Sequence, residues 1–299
     1  MRHIGSCPVC DGGRFDERFA ATFQGDWRDA VPYFLTERVK AVHGRVVRCA
    51  DCGFCFTTPQ FTPEDYDRIY AAVHLSRQGE ASTPQGSGVR LAELARRVGQ
   101  HETTGRFLDF GCGRGEFLDA MGAGHDGLGF EVAADIPGGV SRSGRIVTGN
   151  ILTQGPAAEQ AGLTDAGFDF IAAWDVLEHL PEPEAQMRRL GDLLRPDGRL
   201  YLTLPDAASA AARLSGGKWN LLLLEHLWYF DPATLARFLT RCGFVVEEIS
   251  KIGYPVDLET LARRLRQTYG DWVPPLPSFL GRPVISLPIG LMFVRARRA

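Results

Sequence analysis

The chain reads as an α/β protein built on a doubly wound, mostly parallel sheet, and three observations predict it. Short apolar runs at Arg106 to Asp109, Gly127 to Glu131, Arg145 to Thr148, Phe168 to Ala173, Arg199 to Leu204 and Phe244 to Ile249 are separated by stretches of helical character. Such alternation places helices on both faces of a parallel sheet. The stretch RFLDFGCGRGEFL, Arg106 to Leu118, runs one of these strands straight into glycines 111, 113 and 115 before a helix begins. Only glycine turns the backbone so sharply while leaving N–H groups bare for a ligand. The next strand ends in an acid, Glu131, about 20 residues beyond the loop, the length of one strand–helix–strand unit.

The elements follow in order. Two C-x-x-C pairs, Cys7 with Cys10 and Cys49 with Cys52, open the chain. Each can turn two thiolates toward one tetrahedral Zn²⁺, and Gly53 suits the knuckle whose N–H groups point at sulfur. A small zinc ribbon is expected, its metal structural because four ligands leave no open position. Disulfides would need an oxidising compartment, and a redox C-x-x-C would need only one pair. Cys55 is also C-x-x-C spaced from Cys52, but the Cys49 and Cys52 pair keeps the knuckle glycine; Cys112 and Cys242 read as packing residues. Thr62 is an N-cap with Pro63 at the first position of a helix through Tyr70. Gln78 to Gly88 reads as a loop or linker, Val89 to Val98 as the helix before the glycine loop, and Ile285 to Ala296 as the closing strand. The expected division is a ribbon over 1–60, a helical linker or lid over 61–104, a core over 105–250, and a C-terminal helix and last strand over 251–299.

Composition sets limits. The chain has 299 residues, 44% of them hydrophobic, enough for one large domain and a small one. Its longest apolar run, Leu221 to Leu224, is far too short to span a bilayer, and no secretion-type N-terminus is seen, so a cytoplasmic protein without membrane insertion is expected. A net charge of −3 gives no general pull toward nucleic acid.

The glycine spacing separates ligand classes. A dinucleotide loop needs G-x-G-x-x-G, and the position three after Gly113 is Glu116. The order D-x-G-x-G-x-G instead resembles motif I of the class I S-adenosylmethionine (SAM) methyltransferases. FDFIAAWDVLEHLPEP and LLRPDGRLYLTLP are similar to the same family, and together they cover Gly88 to Phe244. The resemblance implies a Rossmann-like fold of seven mostly parallel strands and SAM as cofactor. It implies that Asp109 meets the ammonium end of SAM and Glu131 the ribose hydroxyls. It extends cofactor contacts to Phe110, Gly111, Cys112 and Gly113, to Asn150 and Ile151 near adenine, and to Trp174 and Asp175 near the methionine end. Asn150 stands where the family usually carries an acid; its amide oxygen can still accept from an exocyclic amine.

Methyl transfer from a sulfonium needs a nucleophile held in line and its proton removed. The Glu-His-x-x-Tyr stretch from Glu225 looks like the substrate-facing segment of zinc-ribbon sugar methyltransferases, which implies His226 as a base with Glu225 beside it. His179 is a weaker base candidate, because EHL before proline recurs in the family as a cofactor-shell turn. Some related O- and RNA-methyltransferases use E-x-x-E-H and a later His for a divalent metal; Asp175, Glu178, His179 and His226 follow that pattern with Asp in the first place. Trp219, Trp228, Tyr229 and Phe230 would wall the acceptor pocket or simply pack in the core. The leading expectation is a small-molecule acceptor: a sugar, a nucleotide sugar or a natural-product intermediate. The alternatives are a zinc-ribbon RNA methyltransferase, disfavoured by charge and by WDVL in place of N-P-P-Y, and a SAM-binding regulatory protein without catalysis.

Overall fold

A computed structural model describes residues 1–34, 42–76, 85–132, 145–153, 162–258, 262 and 283–299. Most of the expected linker and most of the expected C-terminal helix lie outside the described residues. The larger sheet has seven strands: β4 (Gly105–Phe110), β5 (His125–Glu131), β6 (Arg145–Thr148), β7 (Phe168–Trp174), β8 (Leu194–Pro205), β10 (Phe244–Asp257) and β11 (Val284–Arg298). Their spatial order is β10-β11-β8-β7-β4-β5-β6. Strands β4 to β8 pair in parallel, and β11 inserts antiparallel between β8 and β10. The order reverses between β4 and β7, where the carboxyl ends of neighbouring strands diverge and open a crevice.

Both faces of the sheet are covered, so its central strands are apolar on both sides. Along β7, Phe168, Ile171 and Ala173 face one core, while Phe170 and Ala172 face the other. Helices α3 (Gln85–Gly99) and α4 (Glu116–Met121) cover the second face; α5 (Pro183–Leu193) and α7 (Pro232–Arg241) cover the first. Helix α3 begins at Gln85, inside the expected linker. Its burial against Phe107 and Phe170 overrides the poor helix propensity of Gly86 and Gly88.

A smaller sheet carries the N-terminal region, in the order β1 (Phe15–Phe19), β2 (Val46–Cys49), β3 (Cys55–Thr57) and β9 (Trp228–Tyr229), all antiparallel. The fourth strand comes from far downstream: Cys55 pairs with Tyr229 and Phe56 with Trp228. Phe54 lies 4.7 Å from Phe230 and stacks on Trp228 at 6.4 Å between ring centres, and such pairs contribute about 0.5–1.5 kcal/mol each beyond their burial. The four aromatics Trp219, Trp228, Tyr229 and Phe230 are core residues, and none lines the main cavity. Helix α2 (Pro63–Ser76) follows, closed at its start by a reciprocal pair: Asp65 N donates to Thr62 Oγ1 and Thr62 N to Asp65 Oδ2. That pairing satisfies two amides the helix leaves open. No helix among the described residues is long and apolar enough to cross a membrane.

Candidate active site

The bend after β4 is built on left-handed glycines, with φ of +75° at Gly111, +51° at Gly113 and +78° at Gly115. A side chain at Gly111 would place its Cβ 2.5 Å from Val176 Cγ2. Gly111→Ala is therefore expected to destabilise the protein by about 1–3 kcal/mol from strain and overlap together. Denaturant unfolding reads this directly, and an unchanged midpoint would contradict it.

The amides of this bend are less bare than the sequence suggests. Gly111 N and Cys112 N both donate to Phe130 O, at 2.8 and 3.1 Å. Gly113 N donates to Glu131 Oε2 at 2.9 Å. The end of β5 supplies the acceptor in each case. Glu131 is half-buried, its other oxygen accepting from Val132 N at 2.9 Å.

Asp109 sits within β4 at 2% exposure, and its Oδ2 has no hydrogen-bond partner. Burial, and then the neighbouring Glu131 charge, push its carboxyl up to about 8. An orphaned buried carboxyl beside a glycine bend fits a cationic ligand group, although Asp109 lies beneath the cavity lining rather than in it.

A cavity of about 280 Å³ opens at the carboxyl ends of the strands. Phe110, Gly111, Glu131, Asn150, Ile151 and Asp175 line it on the sheet side. Tyr66 and Tyr70 of α2, His179 and Glu225 line it as well. Asn150 Oδ1 accepts from Leu152 N at 2.9 Å, which fixes the amide in the turn after β6. Burial pushes both tyrosine phenols well above their ordinary range, so they stand as donors. The two tyrosines were not singled out in the sequence; their i, i+4 spacing on a helix is the signal that puts them on one face.

Asp109, Cys112, Gly113 and Trp174 do not line this cavity. Cys112 is buried and touches the Gly129 side of β5. Trp174 turns to the opposite face, 5.0 Å from Phe117 and stacked at 6.3 Å on Phe293. Side chains alternate along a strand, and a position at the strand's end is drawn to whichever core is incomplete. Asp175 does face the cavity, but at φ +56°, and Arg90 of α3 holds its carboxylate bidentately at 2.5 and 2.8 Å. Thr203 Oγ1 joins both.

Behind His179 lies a polar cluster. Glu178, His179 and His226 bring ligand atoms within 4.8 Å of one another. The two imidazoles meet edge to face, 4.8 Å between centres. Glu225 and His179 line the cavity, whereas His226 is 5% exposed and does not. Its strand-side anchors explain this: Thr57 Oγ1 donates to His226 O, Thr57 N to Leu227 O, and Leu227 N to Glu178 O. Burial pushes His179 down to about 4 and His226 well below the ordinary imidazole range, so both rings are neutral near pH 7.

In the N-terminal region the four thiols converge. Cys7 and Cys52 Sγ lie 3.6 Å apart, as do Cys10 and Cys49, and all four sulfurs are within 4.8 Å. A tetrahedral zinc with bonds of about 2.3 Å spaces its sulfurs by roughly 3.8 Å. Two matching turns hold them: Asp11 N donates to Cys7 O and Gly53 N to Cys49 O, and both donor residues have positive φ. Burial opposes the Cys49 thiolate, yet the backbone N–H groups of Cys52 and Asp51 bring it below the ordinary thiol range. Cys55 stands outside this group, beside Arg18 and Gly53 O.

Known proteins bear on this geometry. Residues 87–249 match a family model described as a methyltransferase domain. A ubiquinone biosynthesis O-methyltransferase of Xanthomonas axonopodis pv. citri is 31% identical over 221 residues, covering 65% of this chain and 85% of the relative. The enzyme of the same name from Aeromonas salmonicida is 26% identical over 186 residues, covering 55% and 78%. Among solved structures, the 1,6-didemethyltoxoflavin-N1-methyltransferase of Burkholderia thailandensis, seen with S-adenosylhomocysteine, superposes with a TM-score of 0.52 at 18% identity, covering 84% of this chain and 97% of that one. That likeness concerns the fold. With the matched segment spanning the glycine bend, both strand-end acids and the histidine cluster, the chain belongs to the methyltransferase-domain family and is a class I SAM-dependent methyltransferase.

Proposed function

We propose that this enzyme methylates an oxygen of a small-molecule acceptor, and that its N-terminal module is a ribbon held by one structural zinc on Cys7, Cys10, Cys49 and Cys52. The observation that carries the acceptor reading is the cavity shared by the strand ends and by Tyr66 and Tyr70 of α2. Its sheet side is given to the cofactor, and the space left beneath the two tyrosines suits a small guest rather than a polymer. The named activity of the relatives, O-methylation in ubiquinone biosynthesis, favours an oxygen nucleophile; a sugar, nucleotide sugar or natural-product intermediate offers the same chemistry. We divide the chain into a ribbon (1–60), a lid (61–104), a core (105–250) and a closing segment (251–299), with β9 of the core lent to the ribbon sheet.

When bound, SAM supplies a methyl group already activated on sulfur. The residues of this chain then have positioning work. Asp109 takes the ammonium group, Glu131 accepts from the ribose hydroxyls, and Asn150 and Ile151 border the adenine. Phe110 and Gly111 form the floor, and Asp175, fixed by Arg90, closes the methionine end. Tyr66 and Tyr70 exclude water from above. His179 and Glu225 face the acceptor, and His226 acts from behind His179.

The Asp109 carboxyl provides a test with a definite sign. Its pKa is raised from 3.8 to about 8 in the folded chain, so it carries an extra proton between those values, and its contribution to stability falls as pH rises through that window. A cationic ligand on Asp109 must displace that proton. SAM affinity is thus expected to rise between about pH 6 and 8, with proton release on binding near pH 7. Calorimetry in phosphate and in Tris would show different heats; equal heats would remove Asp109 from the ammonium site.

A further inference from the structure

We propose that Arg2 is a positioning residue for methyl transfer: it latches the start of α2 to the turn that follows β7 and so fixes how far apart these two walls of the cavity stand. The proposal rests on the reading above that α2 and this turn enclose the acceptor.

Pro63 and Tyr66 line the cavity from α2, and His179, Leu180 and Pro181 line it from the turn. The turn is held by its carbonyls. Glu178 O accepts from Leu227 N at 2.8 Å, Leu180 O from Trp228 Nε1 at 2.6 Å, and Pro181 O from Arg2 Nη2 at 2.6 Å. The first two donors belong to the segment that forms β9, but the third comes from 179 residues away. The backbone of Arg2 meanwhile pairs with Gln60 in both directions, at 2.6 and 2.9 Å, and Gln60 stands just before Thr62, which caps α2. One residue therefore holds the lid by its backbone and the wall by its side chain.

The side chain suits this task. A guanidinium keeps its charge at every working pH, and a charged donor bonds a carbonyl about twice as strongly as a neutral one. Arg2 Nε is buried and has no partner among the described residues, and Nη2 reaches Gln60 Oε1 only at 3.5 Å. The tie to the wall is thus one strong bond and not a fork. A single bond biases the closed position and still lets α2 lift to admit ligands. Arg2 also acts on Tyr66: burial raises that phenol, while the Phe61 backbone and the Arg2 charge oppose the rise. Arg2 itself does not line the cavity, so it touches neither reactant. Its effect passes through the walls, where a misplacement of about 1 Å costs on the order of 10²-fold in rate.

The test uses the zinc-loaded, full-length protein with S-adenosylhomocysteine as probe, followed by stopped-flow fluorescence and by amide hydrogen exchange. In Arg2→Met, association and dissociation of the probe should both quicken by about 10-fold or more, the worth of one hydrogen bond from a charged donor. Its affinity should stay within about threefold, because a gate speeds entry and exit alike. Exchange should rise over residues 61–70 and 177–182 and hold over 105–111. Arg2→Lys keeps a charged donor for Pro181 O and should recover most of the wild-type behaviour. Both variants keep the backbone pairing with Gln60 and all four thiols, so both should fold. Unchanged rates and exchange in Arg2→Met overturn the latch, and raised exchange with unchanged rates overturns its role at the cavity. Faster dissociation alone, with loss of zinc, overturns it too and leaves Arg2 a structural residue. A wild-type protein that binds no S-adenosylhomocysteine overturns the cofactor site instead, and exchange over 61–70 and 177–182 still decides the latch.

Discussion

Cys49→Ser is expected to yield a protein without ribbon zinc, with a lowered unfolding temperature and with turnover reduced on the order of 10²-fold. The reason is the scale of the metal's contribution. A structural zinc supplies an apparent ~10–16 kcal/mol to a small ribbon, comparable with the whole stability of a domain, about 5–15 kcal/mol. Losing one thiolate therefore unfolds the module rather than loosening it. The loss travels because Thr57 of β3 holds the backbone of His226 and Leu227, and because β3 pairs with β9. Glu225 and His226 would lose their anchor, and α2 its neighbour. The glycine bend lies on the other sheet, so SAM affinity should change far less than turnover. Metal analysis, thermal unfolding and steady-state kinetics on one preparation would check all three. A Cys49→Ser protein that keeps one zinc and wild-type turnover would refute both the ribbon and its coupling to the site.

Glu131→Ala should abolish most SAM binding. Two hydrogen bonds from ribose hydroxyls to a carboxylate contribute about 1.5–3 kcal/mol each, so the expected loss is roughly 10²- to 10⁴-fold in affinity. Part of that would come from the bend itself, since Glu131 also accepts from Gly113 N and Val132 N. Glu131→Gln separates the two contributions: the amide oxygen retains one such bond, and its affinity should fall between wild type and alanine. Calorimetry measures each directly. Wild-type affinity in both variants would move the ribose away from β5.

The sheet was legible in the chain because its information is local. Each parallel strand is a short apolar run of its own, and the bend announces itself by three glycines within five residues. The two C-x-x-C pairs were legible for the same reason, and it is Cys49, not Cys55, whose sulfur lies within 4.8 Å of those of Cys7, Cys10 and Cys52. What escaped is set by partners distant in sequence. Trp228 and Tyr229 form too short an apolar pair to announce a strand, and they become one only through Cys55 and Phe56. Arg90 looks like any helix cation until the fold sets it on Asp175, 85 residues away. Trp174 and Asp175 are adjacent in sequence, yet strand alternation sends one to the core and leaves the other at the cavity. His226 carried a motif but no sign of its depth, which leaves it 5% exposed and off the cavity lining.

The final rung of the small sheet, borrowed from residues 228 and 229, has a consequence for how such a chain can be altered. A cassette excised at residue 60 would leave with three strands and an open edge, and the remaining catalytic portion would expose Trp228 and Phe230. Neither half is a closed unit. Gene truncation or module grafting at that boundary should give aggregating fragments, so inheritance of the two parts is tied together by a strand two residues long.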